Sequence, residues 1–444
     1  MDKKLIVISI DSFVTEDLGI LRTLPHFARV LDGASLVLRN RTTYPSLTHS
    51  VHTSIQTGCN PGRHGVVNNE HFCPYEKNPP WFDDAADIRV PTLWQECARQ
   101  LGTTTALVFW PLCRGAQAQW VIARPGVGGP HREYAGAEDE LRRNSTPGIY
   151  TGALYERCHS AWELPHYYDW DEFSARACAE LILEHEPDVL MTHWTVIDAE
   201  RHRHGVFSPV LRSAYEALDR GLGYILDALD EKNLWDRTVL AITSDHGHLD
   251  IRRVCRPNVL LERYGLLHLT PQGELSDYSV FCHGSGLCCP VYLKDPDEKK
   301  VEMALRFFRD HQSELGFSEI LLPDELNRLY GLRGDFSFIL ETDGETGFLS
   351  DWTGPLFSST TNGDYRGSRA SHGHRPEKGG AALPDSARSE SETPGLPGKR
   401  ADHRSGPYLC RPPRRGHAAG RRPSDDGASR ITRKKLEKGL QTAG

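Results

Sequence analysis

No run of about 18 consecutive apolar residues occurs in the 444-residue chain, so a membrane-spanning helix is excluded. Cysteine is too scattered to organise the fold: 11 residues without regular spacing do not make a disulfide framework. No internal repeat is present, which excludes a solenoid of stacked units. The N-terminus has no secretory pattern. Met1-Asp-Lys-Lys leads straight into Leu5–Ile10, an apolar run too short and too promptly followed by Asp11. The expected location is therefore the cytoplasm. Most of the chain also lacks positive charge. Residues 381–444 hold 14 Lys and Arg against 7 Asp and Glu, leaving 38 against 53 elsewhere. An acidic body of that kind argues against a nucleic-acid-binding surface. What is there, 38% apolar and 25% charged residues, suits a globular protein with one large α/β domain and insertions, or two domains.

Strand and helix signals alternate from the start, which predicts a mostly parallel sheet covered by helices. Residues 4–10 read as a first strand ending at Asp11, and residues 48–57 as a helix closed by Gly58 and Pro61. Further on, 92–101 reads as a helix and 105–110 as a strand. The Gly-, Pro- and aromatic-rich stretch 112–170 reads as an irregular insertion. Then come a helix at about 171–185, a strand at 188–192, a long helix at about 208–231 and a strand at 238–243. Residues 257–350 are expected to add a helix, two strands and a further helix, as a cap or sheet extension.

In doubly wound sheets, ligand groups gather beyond the carboxyl ends of the strands. Asp11, Asp198 and the pair Asp245-His246 each follow such a strand, so residues more than 200 positions apart converge on one edge. Together with His202 and His372 they offer oxygen and nitrogen donors without thiolate. That set suits zinc or a similar divalent ion at an open, catalytic site. Asp198 and His202, four apart, can reach one ion from a single helical turn. Taken singly, each residue has a plainer reading, as a turn, a helix cap or a surface pair. Only the constellation argues for chemistry.

At this point the residues reach a resemblance. Ile8-Ser-Ile-Asp11, the run Tyr44-Pro-Ser-Leu-Thr-His-Ser-Val-His-Thr-Ser-Ile-Gln-Thr-Gly58, Pro61 and His64-Gly-Val-Val-Asn-Asn69 resemble the type I phosphodiesterase/nucleotide pyrophosphatase family. Asp198-Ala-Glu-Arg-His202, Thr243-Ser-Asp-His-Gly247 and Ser371-His-Gly373 follow its later motifs in order. The resemblance covers about residues 4–378 and implies the alkaline phosphatase-like fold, a mostly parallel sheet flanked by helices with inserted segments. It implies two divalent metal ions, zinc above all. Asp198, His202 and His372 would hold one; Asp11, Asp245, His246 and the Thr48 hydroxyl would hold the other. His374 competes with His372, and the motif favours His372. Thr48 becomes the nucleophile of a phospho-threonine intermediate, hydrolysed in a second step, and Asn69 a donor to the phosphoryl oxygens. The expected function is metal-dependent hydrolysis of phosphodiester or pyrophosphate bonds in a small-molecule phosphoester such as a nucleotide. A phosphomonoesterase or phosphonate hydrolase, or an inactive metal-binding product, stands as the alternative.

Two local features complicate that expectation. His49 stands where nucleotide-acting members have an aromatic residue that can stack on a base, so His49 is a substrate-binding candidate and nucleotide specificity is weakened. Cys59-Asn-Pro-Gly-Arg63 fits a loose sulfatase pattern, yet it follows the helix that a sulfatase nucleophile would open. The tail also changes character. Residues 381–444 contain no Val, Phe, Trp or Met and read as a basic, disordered tail beyond a catalytic domain of residues 1–378. A one-nucleotide shift over Ala381–Ser386 permits Gln-Pro-Phe-Leu-Ile-Arg, a plausible strand, so a frameshift near Gly379 is the competing account.

Overall fold

The computed structural model describes residues 3–126, 137–149, 154, 158, 167–360, 368–378 and the backbone of 408–410. The first sheet contains β1 (Lys4–Ile10), β2 (Ser35–Val37), β3 (Thr105–Val108), β4 (Trp120–Ile122), β5 (Val189–Trp194) and β6 (Thr238–Thr243). Its order is β2, Tyr408–Cys410, β6, β1, β5, β3, β4. Pairing from β6 to β4 is parallel, with Ile8 opposite Thr192 and Ser9 opposite Thr243. Such strands are apolar on both faces because helices cover both. Ile6, Ile8 and Ile10 pack with Phe173, Leu181, Leu222 and Ile225 of the helices Tyr167–His185 and Leu211–Glu231. On the other face Val7, Leu107 and Met191 meet Trp94 and Trp110.

The expected elements appear, with adjusted ends. The helix expected at about 171–185 begins at Tyr167, and the one at about 208–231 begins at Leu211. Thr92 caps Leu93–Leu101 by accepting from Gln95 N–H rather than belonging to the helix. The insertion read as irregular contributes β4 and the helix Ala137–Asn144. The β4 core, Trp-Val-Ile, is too short for a two-residue period to show. A larger correction concerns residues 257–350. Instead of two strands they supply most of a second, largely antiparallel sheet built on Cys288–Leu293, Phe338–Thr342 and Phe317–Leu321. Phe308, Phe338, Leu340 and Phe348 lie in its core. Several of its strands have two to four residues, and Cys288–Leu293 is buried throughout, so alternation is absent.

Within the basic tail, Tyr408–Cys410 forms a strand antiparallel to β2 and β6. The rest of residues 379–444 lies outside the described residues. Among the described residues no helix is long and apolar enough to cross a membrane.

Candidate active site

β6, β1 and β5 are neighbours, so the turns after their carboxyl ends share one edge of the sheet. β1 delivers Asp11, and the chain then turns sharply at Ser12, whose φ is 64°. Ser12 N–H donates to Asp245 Oδ1 at 3.2 Å, tying the β1 and β6 turns together. After β5 the helix Val196–His204 starts under Asp171, whose carboxylate accepts the Thr195 and Val196 N–H groups at 2.9 and 2.8 Å. Asp198 and His202 then share a face, with Oδ1 and Nε2 3.4 Å apart.

Thr48 opens the helix Thr48–Thr57, with Leu47 extended at the cap position and Gly58 closing the helix at a φ of 64°. The helix is polar yet mostly buried. Thr53 and Thr57 satisfy their hydroxyls on the carbonyls of His49 and Thr53, at 2.7 and 2.6 Å. Ser46 fastens the returning 372–374 segment: its Oγ donates to His374 O at 2.8 Å, and its own carbonyl meets His372 Nδ1 at 3.0 Å. Gly373 has φ 107°, and a Cβ there would lie 3.0 Å from Ser285 O, so the turn that aims His372 requires glycine.

Two adjoining clusters result. Around His246 Nε2 lie Thr48 Oγ1 at 3.2 Å, Asp245 Oδ2 at 3.3 Å and Asp11 Oδ1 at 3.5 Å. Around Asp198 Oδ1 lie Nε2 of His248 at 3.3 Å, His202 at 3.4 Å and His372 at 3.8 Å. Ligands 2.0–2.1 Å from one tetrahedral zinc stand about 3.3 Å from each other. Among the described residues Asp11 Oδ1, Asp198 Oδ1 and Asp245 Oδ2 have no hydrogen-bond partner. Burial raises Asp245 to about 7 and Asp198 to about 6. Burial, followed by the charges of Asp198 and Asp245, pushes Asp11 well above the usual carboxylate range. The buried carboxylates of Asp11 and Asp245 and the partly buried one of Asp198 face the imidazoles of His246, His248 and His372, which burial keeps neutral. This arrangement fits divalent cations, which supply the missing partner for the carboxylate charge.

Neighbouring side chains hold these donors. His193 Nε2 lies 3.1 Å from Asp11 Oδ2. Burial brings His52 down to about 4, so its ring is neutral near pH 7. Its Nδ1–H donates to Thr48 O at 2.8 Å, which leaves Nε2 to accept from Ser9 Oγ at 2.9 Å. Asn69 Oδ1 accepts His49 N–H at 2.9 Å, so the amide NH2 is the group left to donate.

The profile of the family described as "Type I phosphodiesterase / nucleotide pyrophosphatase" matches residues 5–319. The chain belongs to this family. It is 24% identical over 256 residues to human ectonucleotide pyrophosphatase/phosphodiesterase family member 5, covering 55% of this chain and 45% of that protein. It is 24% identical over 348 residues to bis(5'-adenosyl)-triphosphatase ENPP4 of Bos taurus, covering 72% and 65%. The chain thus spans about half to two thirds of the length of these curated relatives. Among solved structures, an inactive form of murine ectonucleotide pyrophosphatase/phosphodiesterase 5 in complex with AMP matches with a TM-score of 0.53 at 16% identity, covering 92% of this chain and 87% of that one. Phosphonoacetate hydrolase from Sinorhizobium meliloti 1021, in complex with phosphonoacetate, matches with a TM-score of 0.57 at 17% identity, covering 92% and 90%. At such identities the likeness establishes the alkaline phosphatase-like fold alone.

For this phosphodiesterase-family chain, Asp11, Thr48, Asp198, His202, Asp245, His246 and His372 all come to the one sheet edge, with Asn69 at the helix start. His374 does not join either cluster; its backbone carbonyl serves Ser46 instead. The His49 ring is buried edge-on against Trp81, with centroids 5.1 Å apart. Cys59 lies beyond the far end of the ten-residue helix, about 15 Å of helix rise from Thr48. Sequence reasoning missed His248, His193 and His52. Only His248 left a signal: it stands two residues past His246, where extended chain returns a side chain to the same face.

Proposed function

We propose that this chain hydrolyses a phosphodiester or pyrophosphate bond in a small-molecule phosphoester, with Thr48 as nucleophile. The observation that carries the reading is Thr48 Oγ1 on the first residue of a helix, 3.2 Å from His246 Nε2 and beside the unpartnered oxygens of Asp11 and Asp245. A threonine hydroxyl is a weak nucleophile near neutral pH, and the free N–H groups of a helix start favour negative charge on it. Asp198, His202 and His372 would hold one divalent cation, and Asp11, Asp245, His246 and Thr48 the other, zinc by donor type. Bound there, the pair supplies Lewis-acid charge that lowers the hydroxyl pKa and offsets charge on the leaving oxygen.

The protein's own groups do the rest. Thr48 Oγ1 attacks phosphorus as the bond to the leaving oxygen breaks, giving a phospho-threonine. Water then cleaves that ester and restores the hydroxyl. Asn69 Nδ2 donates to a nonbridging oxygen while its Oδ1 stays tied to His49 N–H. His52 pins the first turn of the helix through Thr48 O. A nucleotide is the proposed substrate class, in keeping with the relatives' names. Because the His49 ring is occupied by Trp81, no free aromatic face is assigned next to Thr48, and a phosphomonoester or phosphonate is the second reading.

Thr48→Ala is expected to keep the fold and cation uptake while losing turnover of bis(p-nitrophenyl) phosphate by about a thousandfold or more. Undiminished turnover removes Thr48 from the mechanism. A panel of diesters, monoesters and phosphonates, with and without zinc, separates the two substrate readings. Zinc bound without any turnover identifies an inactive metal-binding product.

A further inference from the structure

Of the buried histidines outside both ligand sets, His248 is the one that faces Asp198. The His248 side chain has no solvent exposure, and its Nε2 is 3.3 Å from Asp198 Oδ1, nearer than Nε2 of His202 or His372. Despite that separation the two atoms form no hydrogen bond, and each is without a partner among the described residues. Two lone-pair atoms held this close in a buried site repel unless a proton or a cation lies between them. The geometry does not place a proton there.

The three imidazoles around Asp198 are also held alike. Nδ1 of His202 lies 2.7 Å from Ala370 O, Nδ1 of His372 lies 3.0 Å from Ser46 O, and Nδ1 of His248 lies 2.6 Å from Ser12 Oγ. A backbone carbonyl only accepts, so the first two rings carry their proton on Nδ1 and present a bare Nε2. Ser12 gives His248 the corresponding support. Its positive φ and its contacts with Arg201, through both the carbonyl and the hydroxyl, fix where that oxygen stands. A hydrogen-bonding oxygen behind each ring is the ordinary outer support of a metal-ligating histidine. Donor atoms of Asp198, His202, His248 and His372 all lie within 4.8 Å of one another.

We propose that His248 is a direct fourth protein ligand of the cation held by Asp198, His202 and His372. This inference rests on the paired-cation reading above and adds to it. Three nitrogens and one oxygen fill a tetrahedral zinc shell, whereas a catalytic zinc ordinarily keeps one position open. Each cation would then have four protein donors, three of them imidazoles on the Asp198 side and one on the Thr48 side.

The test is proton NMR of the full chain loaded with cobalt(II). Each ligating imidazole contributes one exchangeable N–H resonance shifted far outside the ordinary range. His202, His246, His248 and His372 predict four such signals in the parent protein and three in His248→Gln. Two bound cobalt ions with three signals in both proteins overturn the inference and leave the paired-cation reading intact. Failure to take up cobalt overturns both. Should His248→Gln not fold, the parent count alone decides, four supporting the inference and three sinking it.

Discussion

At the residue scale, burial decides which side chains can act. It lowers His372 to about 4, with Asp198 opposing the shift, so the imidazole is neutral and available as a donor near pH 7. The same force acts on Glu341, which is buried beneath the 371–378 segment. Its Oε2 accepts from Tyr44 Oη at 2.9 Å, and its Oε1 accepts from Arg375 N–H at 3.0 Å. Burial raises its pKa from 4.5 to about 7, against the opposing pull of Lys378. A folded pKa above the unfolded one means the folded state holds the proton more tightly. That stabilisation is complete below about 4.5 and is lost as pH rises through about 7. Glu341→Gln removes this dependence, so its stability relative to the parent should grow between pH 5 and pH 8. Urea midpoints at the two pH values check this, and a constant gap contradicts it.

At the element scale, the helix Val196–His204 is only as well placed as its first turn. Asp171, on the helix Tyr167–His185 that precedes β5, accepts the N–H groups of Thr195 and Val196. Asp171→Ala should cost about 1–2 kcal/mol, as the loss of a helix cap does. It should also weaken cation binding, because Asp198 and His202 ride on that turn. Urea denaturation and zinc titration measure the two effects; unchanged affinity would show that packing alone positions the helix. Elements with clear end signals were legible in the sequence: β1, β5 and β6 as apolar runs that stop at polar residues, and the helix after Thr48 by its closing Gly58. The second sheet was not, since its strands are short and buried on both sides, which leaves no alternation to read.

At the scale of the whole molecule, the two clusters concentrate like charge in a buried place, so cations should stabilise the fold. Zinc at a hundred times its dissociation constant should add about 2.7 kcal/mol per site, and a chelator should remove it. Melting with and without EDTA checks this, and a chelator-insensitive melting temperature contradicts it. The C-terminal tail bears on the same balance. A chain continued in the shifted frame past Gly379 should melt higher than this one, through added apolar burial against the sheet. Equal melting temperatures, or a verified uninterrupted frame in the gene, end the frameshift account.

By itself the sequence determined the chain order of Asp11, Asp198 and Asp245 and their places at or just after strand ends, because an apolar run followed by Asp is a local pattern. It also determined the helix that begins at Thr48 and stops at Gly58. Only the tertiary structure decided which donors meet. Placing β1 between β6 and β5 brings Asp11, Asp198 and Asp245 together, and the Ser46 contacts return His372 rather than His374 to them. His248 entered the site for the same reason. Distances between side chains remote along the chain depend on sheet order and packing, which no local pattern encodes.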